Sequence, residues 1–130
     1  MNRDELIQQV SATYEAYTRA FLANDLDAIN ELVKYPIAYI RHDDVVLMDS
    51  FPIKPADLMA QKQWHNSTDT EFEIVGISQT KAHVVLPKAR RWRKDGTLIE
   101  TASAFYAFTK TEAGWKMFAI SGIAVPAARR

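Results

Sequence analysis

The residue best suited to chemistry in this chain is a tyrosine on the apolar side of the first predicted helix. Tyr17 falls at helical spacing with Tyr14 and Phe21, so the three rings are predicted to share one face. A phenol beside an apolar pocket can donate a hydrogen bond to a ligand carbonyl or to a developing oxyanion. The alternative is a core tyrosine whose hydroxyl finds a backbone partner. Tyr17 is therefore a candidate catalytic and ligand-binding residue, and Tyr14 and Phe21 are candidate ligand-binding residues.

Proton transfer near neutral pH points to His65 and Asp43. His65 follows Trp64 at the end of the third predicted helix, where the pair faces either a pocket mouth or the sheet edge. A histidine can act as a general acid or base near neutrality, although at a helix end it also interacts favourably with the dipole. We take His65 and Asp43 as candidate catalytic residues and Trp64 as a candidate ligand-binding residue.

Alternate residues of the first predicted strand supply two further ligand-binding candidates, Tyr39 and Arg41. They share one side of the strand with Ile37, and this side is predicted to face inward. A partly buried arginine favours an anionic or carbonyl-bearing ligand, because its guanidinium offers paired donors. Alternatively, Arg41 and Asp43 form an ion pair at the rim, worth less than ~1 kcal/mol.

Metal, thiol and phosphate chemistry have no sequence support. The three histidines, His42, His65 and His83, show no metal-ligand spacing, and the chain has no cysteine and only four glycines. We predict no metal ligands and no cofactor. The face of the sheet that His83 and Arg91 occupy is left open.

The charge balance argues against nucleic acid and membranes as partners. Basic residues surround Trp92, but the 16 basic and 16 acidic residues cancel, so we read the cluster as charges that discourage edge pairing. No stretch approaches the ~20 apolar residues of a membrane helix. No secretory signal is visible, and we predict a cytoplasmic location.

The chain of 130 residues is predicted to form a single domain, residues 1–130, with residues 1–3 and 125–130 as loose termini. Apolar periodicity and turn residues divide it into three helices and about six strands. The predicted helices cover 4–23, 26–33 and 55–65, and the strands cover 37–41, 45–48, 71–78, 82–93, 98–109 and 115–123.

Three turn and proline signals fix this division. Pro36 is predicted to end the second helix, and Asp95-Gly96 to form a tight hairpin. Pro87 lies inside a predicted strand, where it cannot donate to the ladder, so we expect a bulge.

The order of elements predicts an α+β fold with a curved antiparallel sheet wrapped around three helices. The strand segment 102–108 is apolar on both faces apart from Ser103. A second subunit on the outer face of the sheet would explain this pattern, and a thick core is the alternative. We expect a homodimer.

Two segments resemble the NTF2-like superfamily. They are the stretch from Tyr17 to Ile29, with its junction Asn24-Asp25-Leu26-Asp27, and the later Gly114-Trp115-Lys116. Members of the superfamily include nuclear transport factor 2, ketosteroid isomerase, scytalone dehydratase and the SnoaL-like polyketide cyclases. The resemblance covers nearly the whole chain and implies a cone-shaped pocket between the concave face of the sheet and the helices. It also implies dimers formed through the outer face of the sheet.

The resemblance to ketosteroid isomerase carries over residue by residue only in part. The oxyanion tyrosine of that enzyme lies eight residues before the junction aspartate, and Tyr17 occupies this position. Its general base lies sixteen residues after the junction, where this chain has Arg41, and a guanidinium cannot abstract a proton at neutral pH. The base is missing unless a gap brings Asp43 inward.

Two classes of function follow from these residues. One is isomerase, cyclase or lyase chemistry on a small apolar compound with a carbonyl or anionic group. The other is a non-catalytic dimeric module that binds a ligand or a partner protein. The sequence leaves both open.

Overall fold

A computed structural model describes residues 1–128 and shows three helices beside a curved, unclosed sheet of seven strands. The elements follow in the order α1 (Arg3–Leu22), α2 (Leu26–Glu31), β1 (Val33–Ile40), β2 (Val45–Met48), α3 (Pro55–Lys62), β3 (Asn66–Thr68), β4 (Glu73–Ile77), β5 (Lys81–Trp92), β6 (Leu98–Thr111) and β7 (Gly114–Pro126). The sheet order is β2-β1-β7-β6-β5-β3, and β4 pairs with β5 beside β3.

The predicted α+β class is confirmed, with two differences in the sheet. β3 is an additional strand of three residues, too short to carry a hydrophobic period. β1 and β7 pair in parallel, whereas every other pairing is antiparallel. Local patterns reveal strands but not which distant strand becomes a neighbour, so the parallel pair could not be read from the sequence.

The two N-terminal helices begin at side-chain caps. The Asn2 side chain accepts a hydrogen bond from the Glu5 backbone N–H, and the Asp25 side chain accepts one from Ala28. Such caps satisfy backbone donors that the first turn leaves without a helical partner. The apolar face of α1 is buried, which places the rings of Tyr14 and Tyr17 toward the sheet.

Three predicted boundaries are corrected. The second helix ends at Glu31, and Pro36 lies inside β1, in the stretch where pairing with β7 is interrupted between Val33 and Ala38. A proline can occupy a strand there because no ladder donor is needed. The third helix ends at Lys62 rather than 65, because Gln63 adopts a left-handed conformation.

Regular secondary structure extends further toward both termini than predicted. α1 begins at residue 3, and residues 125 and 126 pair with 101 and 100 as the last part of β7. Residues 129 and 130 of the predicted loose terminus lie outside the described residues.

The expected bulge at Pro87 is confirmed and determines which side chains face inward. Leu86 pairs with Ala104 and Ala89 with Ala102, so residues 87 and 88 stand opposite a single residue of β6. A bulge of this kind re-aims the side chains that follow it. His83, before the bulge, lies on the outer face with its ring 5.3 Å from Phe105, whereas Arg91, after it, faces the helices.

The hydrophobic core lies between α1, α2 and the inner face of the sheet, where Val10, Ile29, Ile37 and Phe108 are fully buried. Among residues 1–128, no helix is both long and apolar enough to cross a membrane.

Candidate functional site

A cavity of about 400 Å³ lies between α1, α3 and the inner face of the sheet. This volume is within the range of small-molecule sites, roughly 300–1,000 Å³. Most of its wall is apolar. The apolar and aromatic side chains of the wall include Phe21, Leu22, Ile53, Leu58, Leu86, Ala102, Ala104 and Ile120.

Three tyrosines meet at one end of the cavity. Tyr14 and Tyr17 come from α1 and Tyr106 from β6, and their ring centroids lie 5.2–5.8 Å apart. Each side chain is almost fully buried. The helical spacing of the first two and the inward register of the third therefore place three phenols on one wall.

Burial raises the pKa of all three phenols above the ordinary value of 10.0, because the charged form would lose its hydration. Charge repulsion from a neighbouring phenol raises each pKa further, whereas a hydrogen bond with another phenol and the charge of Arg91 partly oppose the rise for Tyr17 and Tyr106. The hydroxyls are therefore protonated at neutral pH. They can donate hydrogen bonds to a ligand oxygen but cannot act as bases.

Charged groups flank the tyrosines. Glu100 is buried and accepts hydrogen bonds from Lys62 Nζ at 2.7 Å and from Arg91 Nη1 at 2.6 Å. Burial alone would raise the pKa of Glu100, but the two cations outweigh it and hold the pKa below its usual value. Lys62 and Arg91 line the cavity, as do Lys54 and Asp57.

The structure brings four of the sequence candidates together. Tyr14, Tyr17 and Phe21 on α1 and Tyr39 on β1 all line the cavity. Phe21 also contacts Trp64, with ring centroids 5.5 Å apart. Trp64 is buried and donates from Nε1 to Ser67 Oγ at 3.0 Å, so it supports the wall from behind.

The other three candidates lie outside the cavity wall. Arg41 lies beyond the end of β1 and is half exposed, paired with Asp44 instead of the expected Asp43. Asp43 is exposed beside His42. His65 is exposed, and its backbone N–H donates to the Trp92 carbonyl because the chain has already left α3 for β3. A ligand-binding or catalytic role for these three gains no support from their placement.

No group of three or more His, Cys, Asp or Glu residues within 1–128 is placed to hold a metal ion.

Solved structures similar to this one share its whole architecture. A cystatin-like fold protein from Burkholderia xenovorans aligns with a TM-score of 0.67 and 15% identity over 98% of this chain and 97% of its own. An NTF2-like protein from Cytophaga hutchinsonii aligns with a TM-score of 0.63 and 17% identity over 96% and 100%. The chain has the NTF2-like fold.

A third neighbour is an NTF2-like protein of unknown function in nutrient uptake from Rhodospirillum rubrum, with a TM-score of 0.66 and 19% identity over 89% of this chain and 98% of its own. At these identities the likeness extends to the NTF2-like fold and no further. No protein-family model and no curated protein sequence matches the chain.

Within this NTF2-like fold, the sequence patterns did not point to Tyr106 or to the trio of Lys62, Arg91 and Glu100 as residues of the site. The sequence did contain a signal for part of the trio. A hairpin that turns at residues 95 and 96 brings Arg91 opposite Glu100, and Glu100 is the acid at the start of a long apolar strand. An acidic residue in that position needs a cationic partner.

Proposed function

We propose that the protein binds a small, largely apolar molecule with a carbonyl or anionic group in this cavity. The observation that carries the proposal is the meeting of three protonated phenols and Arg91 at one end of an apolar cavity. Convergent polar groups in an otherwise apolar cavity are typical of small-molecule sites.

The apolar and the polar parts of the cavity wall contribute differently to ligand binding. Leu86, Ile120 and Phe21 offer apolar surface to the body of the ligand, and burial of that surface supplies most of the affinity. The phenols and the guanidinium orient the polar group, because each donor left without an acceptor costs free energy once water is displaced.

Isomerase, cyclase or lyase chemistry is a second candidate function. It is favoured by the position of Tyr17 and Tyr106 close to Arg91, because donors fixed beside a developing oxyanion stabilise it. Of the carboxylates in the part of the chain that the structure describes, Asp57 lines the cavity, so proton abstraction would fall to it. Under this second candidate, Asp57→Asn abolishes turnover.

A cavity-filling variant tests the binding proposal. Gly122 on β7 lines the cavity, and a Cβ added there meets only the Ser103 carbonyl oxygen, at an ordinary 3.9 Å. Gly122→Leu should therefore fold and occupy space that the ligand needs. Calorimetric titration with acetonaphthone, a neutral two-ring ketone, should show binding in about the micromolar-to-millimolar range for the wild type.

Gly122→Leu should lose this binding, and Gly122→Ala should keep most of it as the matched control. Absence of acetonaphthone binding to the wild type, or equal binding to the Leu variant, contradicts a ligand site in the cavity.

We also propose that two copies of the chain pair through the outer face of the sheet. Val45, Leu47 and Val125 are 60–69% exposed. Leu47 pairs with Ala38 and Val45 with Ile40, so these apolar side chains share the face opposite the helices. Exposed apolar side chains on one face of a sheet are typical of a homodimer interface.

A further inference from the structure

The charges around Glu100 do not balance. Its carboxylate carries one negative charge, and its side chain, 4% exposed, contacts two cations, Lys62 and Arg91. Lys54 and Asp57 add one charge of each sign to the cavity wall. Together these groups leave the wall with one uncompensated positive charge.

The excess charge faces the cavity rather than the protein interior. Lys62 and Arg91 line the cavity, and the Glu100 carboxylate accepts one N–H from each of them. An ammonium offers three donors and a guanidinium five, so both groups keep donors for a ligand. The Arg91 side chain is only 19% exposed, so little water reaches the guanidinium donors that Glu100 does not use, and a ligand oxygen can take that place.

We infer that the polar group of the ligand is a single carboxylate, held by Arg91 and Lys62 while one or two rings fill the apolar part of the cavity. This inference rests on the proposed function and narrows its ligand class to monocarboxylates. One carboxylate neutralises the one excess charge, and the planar guanidinium matches carboxylate geometry. A phosphate monoester, with a charge of about −2, would leave negative charge beside an apolar wall.

The size of the cavity fits a ring-bearing acid. Its volume of about 400 Å³ is near the lower end of the range for small-molecule sites. Phe21 and Tyr39 add aromatic surface to the wall, against which a flat ring packs well.

Three probes of nearly one shape test the inference by calorimetry. Naphthoate carries one charge, naphthamide is its neutral counterpart, and naphthyl phosphate carries a larger charge. Wild-type protein should bind naphthoate roughly tenfold or more tightly than naphthamide, because hydrogen bonds to charged groups exceed neutral ones by about that factor. Naphthyl phosphate should bind more weakly than naphthoate.

Two variants separate recognition of the ligand from support of Glu100. Lys62→Gln should reduce the preference for naphthoate by roughly tenfold, because losing a charged donor weakens the binding of naphthoate more than that of neutral naphthamide. Glu100→Gln removes the competing carboxylate, so in a variant with the wild-type near-ultraviolet circular dichroism spectrum the preference should increase. Arg90→Gln is the matched control, because Arg90 is half exposed and faces Asp69, and it should leave the preference unchanged.

The outcomes distinguish the two levels of proposal. If naphthoate and naphthamide bind equally to the wild type, or naphthyl phosphate binds most tightly, the carboxylate inference fails and the cavity remains a ligand site. A preference that persists in Lys62→Gln and falls in folded Glu100→Gln also overturns it. If none of the probes binds and acetonaphthone does not bind either, the proposed function fails with it.

Discussion

Tyr17 is the single side chain that contacts most of the aromatic wall. Its ring lies 5.7–5.9 Å from Phe21, Phe51 and Tyr106, centroid to centroid. The aromatic packing fixes the ring and therefore the position of its hydroxyl. A fixed donor gains more from a well-placed ligand oxygen than a mobile one, because less side-chain entropy is lost on binding.

Removal of the Tyr17 hydroxyl should weaken the binding of a carbonyl ligand. Tyr17→Phe keeps the ring packing and deletes one neutral donor, so the dissociation constant for acetonaphthone should rise by about 2- to 10-fold. Calorimetric titration measures the change. Tyr35→Phe serves as the control, since the Tyr35 hydroxyl donates to Asn30 outside the cavity. An unchanged dissociation constant in Tyr17→Phe would mean that the phenol does not touch the ligand.

Glu100 should make the stability of the fold depend on pH in the acidic range. Its pKa in the folded state lies below the ordinary 4.5, so the ionised carboxylate stabilises the fold above pH 4.5. That contribution is lost as the pH falls through the lowered pKa. Urea unfolding should therefore show wild type more stable than Glu100→Gln near neutral pH, with the difference shrinking in acid. A difference that stays constant from neutral to strongly acidic pH would count against the ion pairs.

Among the elements, β5 contains a bulge that Pro87 predicts and that turns Arg91 toward the cavity. Without the extra residue at 87 and 88, Arg91 would lie on the same face as His83, away from Glu100. Pro87 predicts the bulge from the sequence. The bulge reverses which side chains of β5 face inward, and only with this reversal can Arg91 be assigned to the cavity. The short α3 then completes the trio by supplying Lys62 from its last turn.

The end of α3 gives a prediction in which one substitution type has opposite effects at two nearby positions. Gln63 has φ 59° in the left-handed region, where a side chain is strained, so Gln63→Gly should raise the free energy of unfolding by about 1 kcal/mol. Ala60→Gly, at an exposed position inside the same helix, should lower it by about 1 kcal/mol. Chemical denaturation measures both. A decrease for Gln63→Gly would show that the left-handed turn is not strained.

At the scale of the whole molecule, the sequence predicted the architecture far better than the site. Periodic apolar faces and capped helix starts, such as Asp25 before α2, are local, so they identified the helices and most strands. The parallel pairing of β1 with β7 is set by long-range packing and leaves no local trace. The same distinction applies to the site. Tyr17 was predicted because it lies on a helix with a strong apolar periodicity, whereas the trio is assembled by long-range packing of residues from α3, β5 and β6.

Arg41 and Asp43 show why strand parity alone is a weak guide to a site. Their parity with Ile37 and Tyr39 is inward, but β1 ends at Ile40 and the chain turns before either side chain can follow. The end of a strand is decided by where its neighbours stop pairing. That information depends on the register with β2 and β7 and is absent from the segment itself.

The outer face of the sheet provides the last prediction. Ser121 lies near the middle of that face, paired with Ile40 on one side and Phe105 on the other. If two copies bury this face, with about 800 Å² needed from each partner, a charge at its centre would be desolvated without a counter-ion. Ser121→Lys should therefore convert the dimer to a monomer of 14.8 kDa, measured by light scattering after gel filtration.

The matched control is Met59→Lys, which places the same charge at a half-exposed apolar position on α3, away from the outer face of the sheet. It should leave the dimer intact. Circular dichroism establishes that Ser121→Lys keeps its fold, since a lysine on the free outer face of a monomer can extend into solvent at little cost. A wild-type chain that elutes as a monomer at every concentration would contradict the dimer, and the exposed Leu47 and Val125 would then need another partner to cover them.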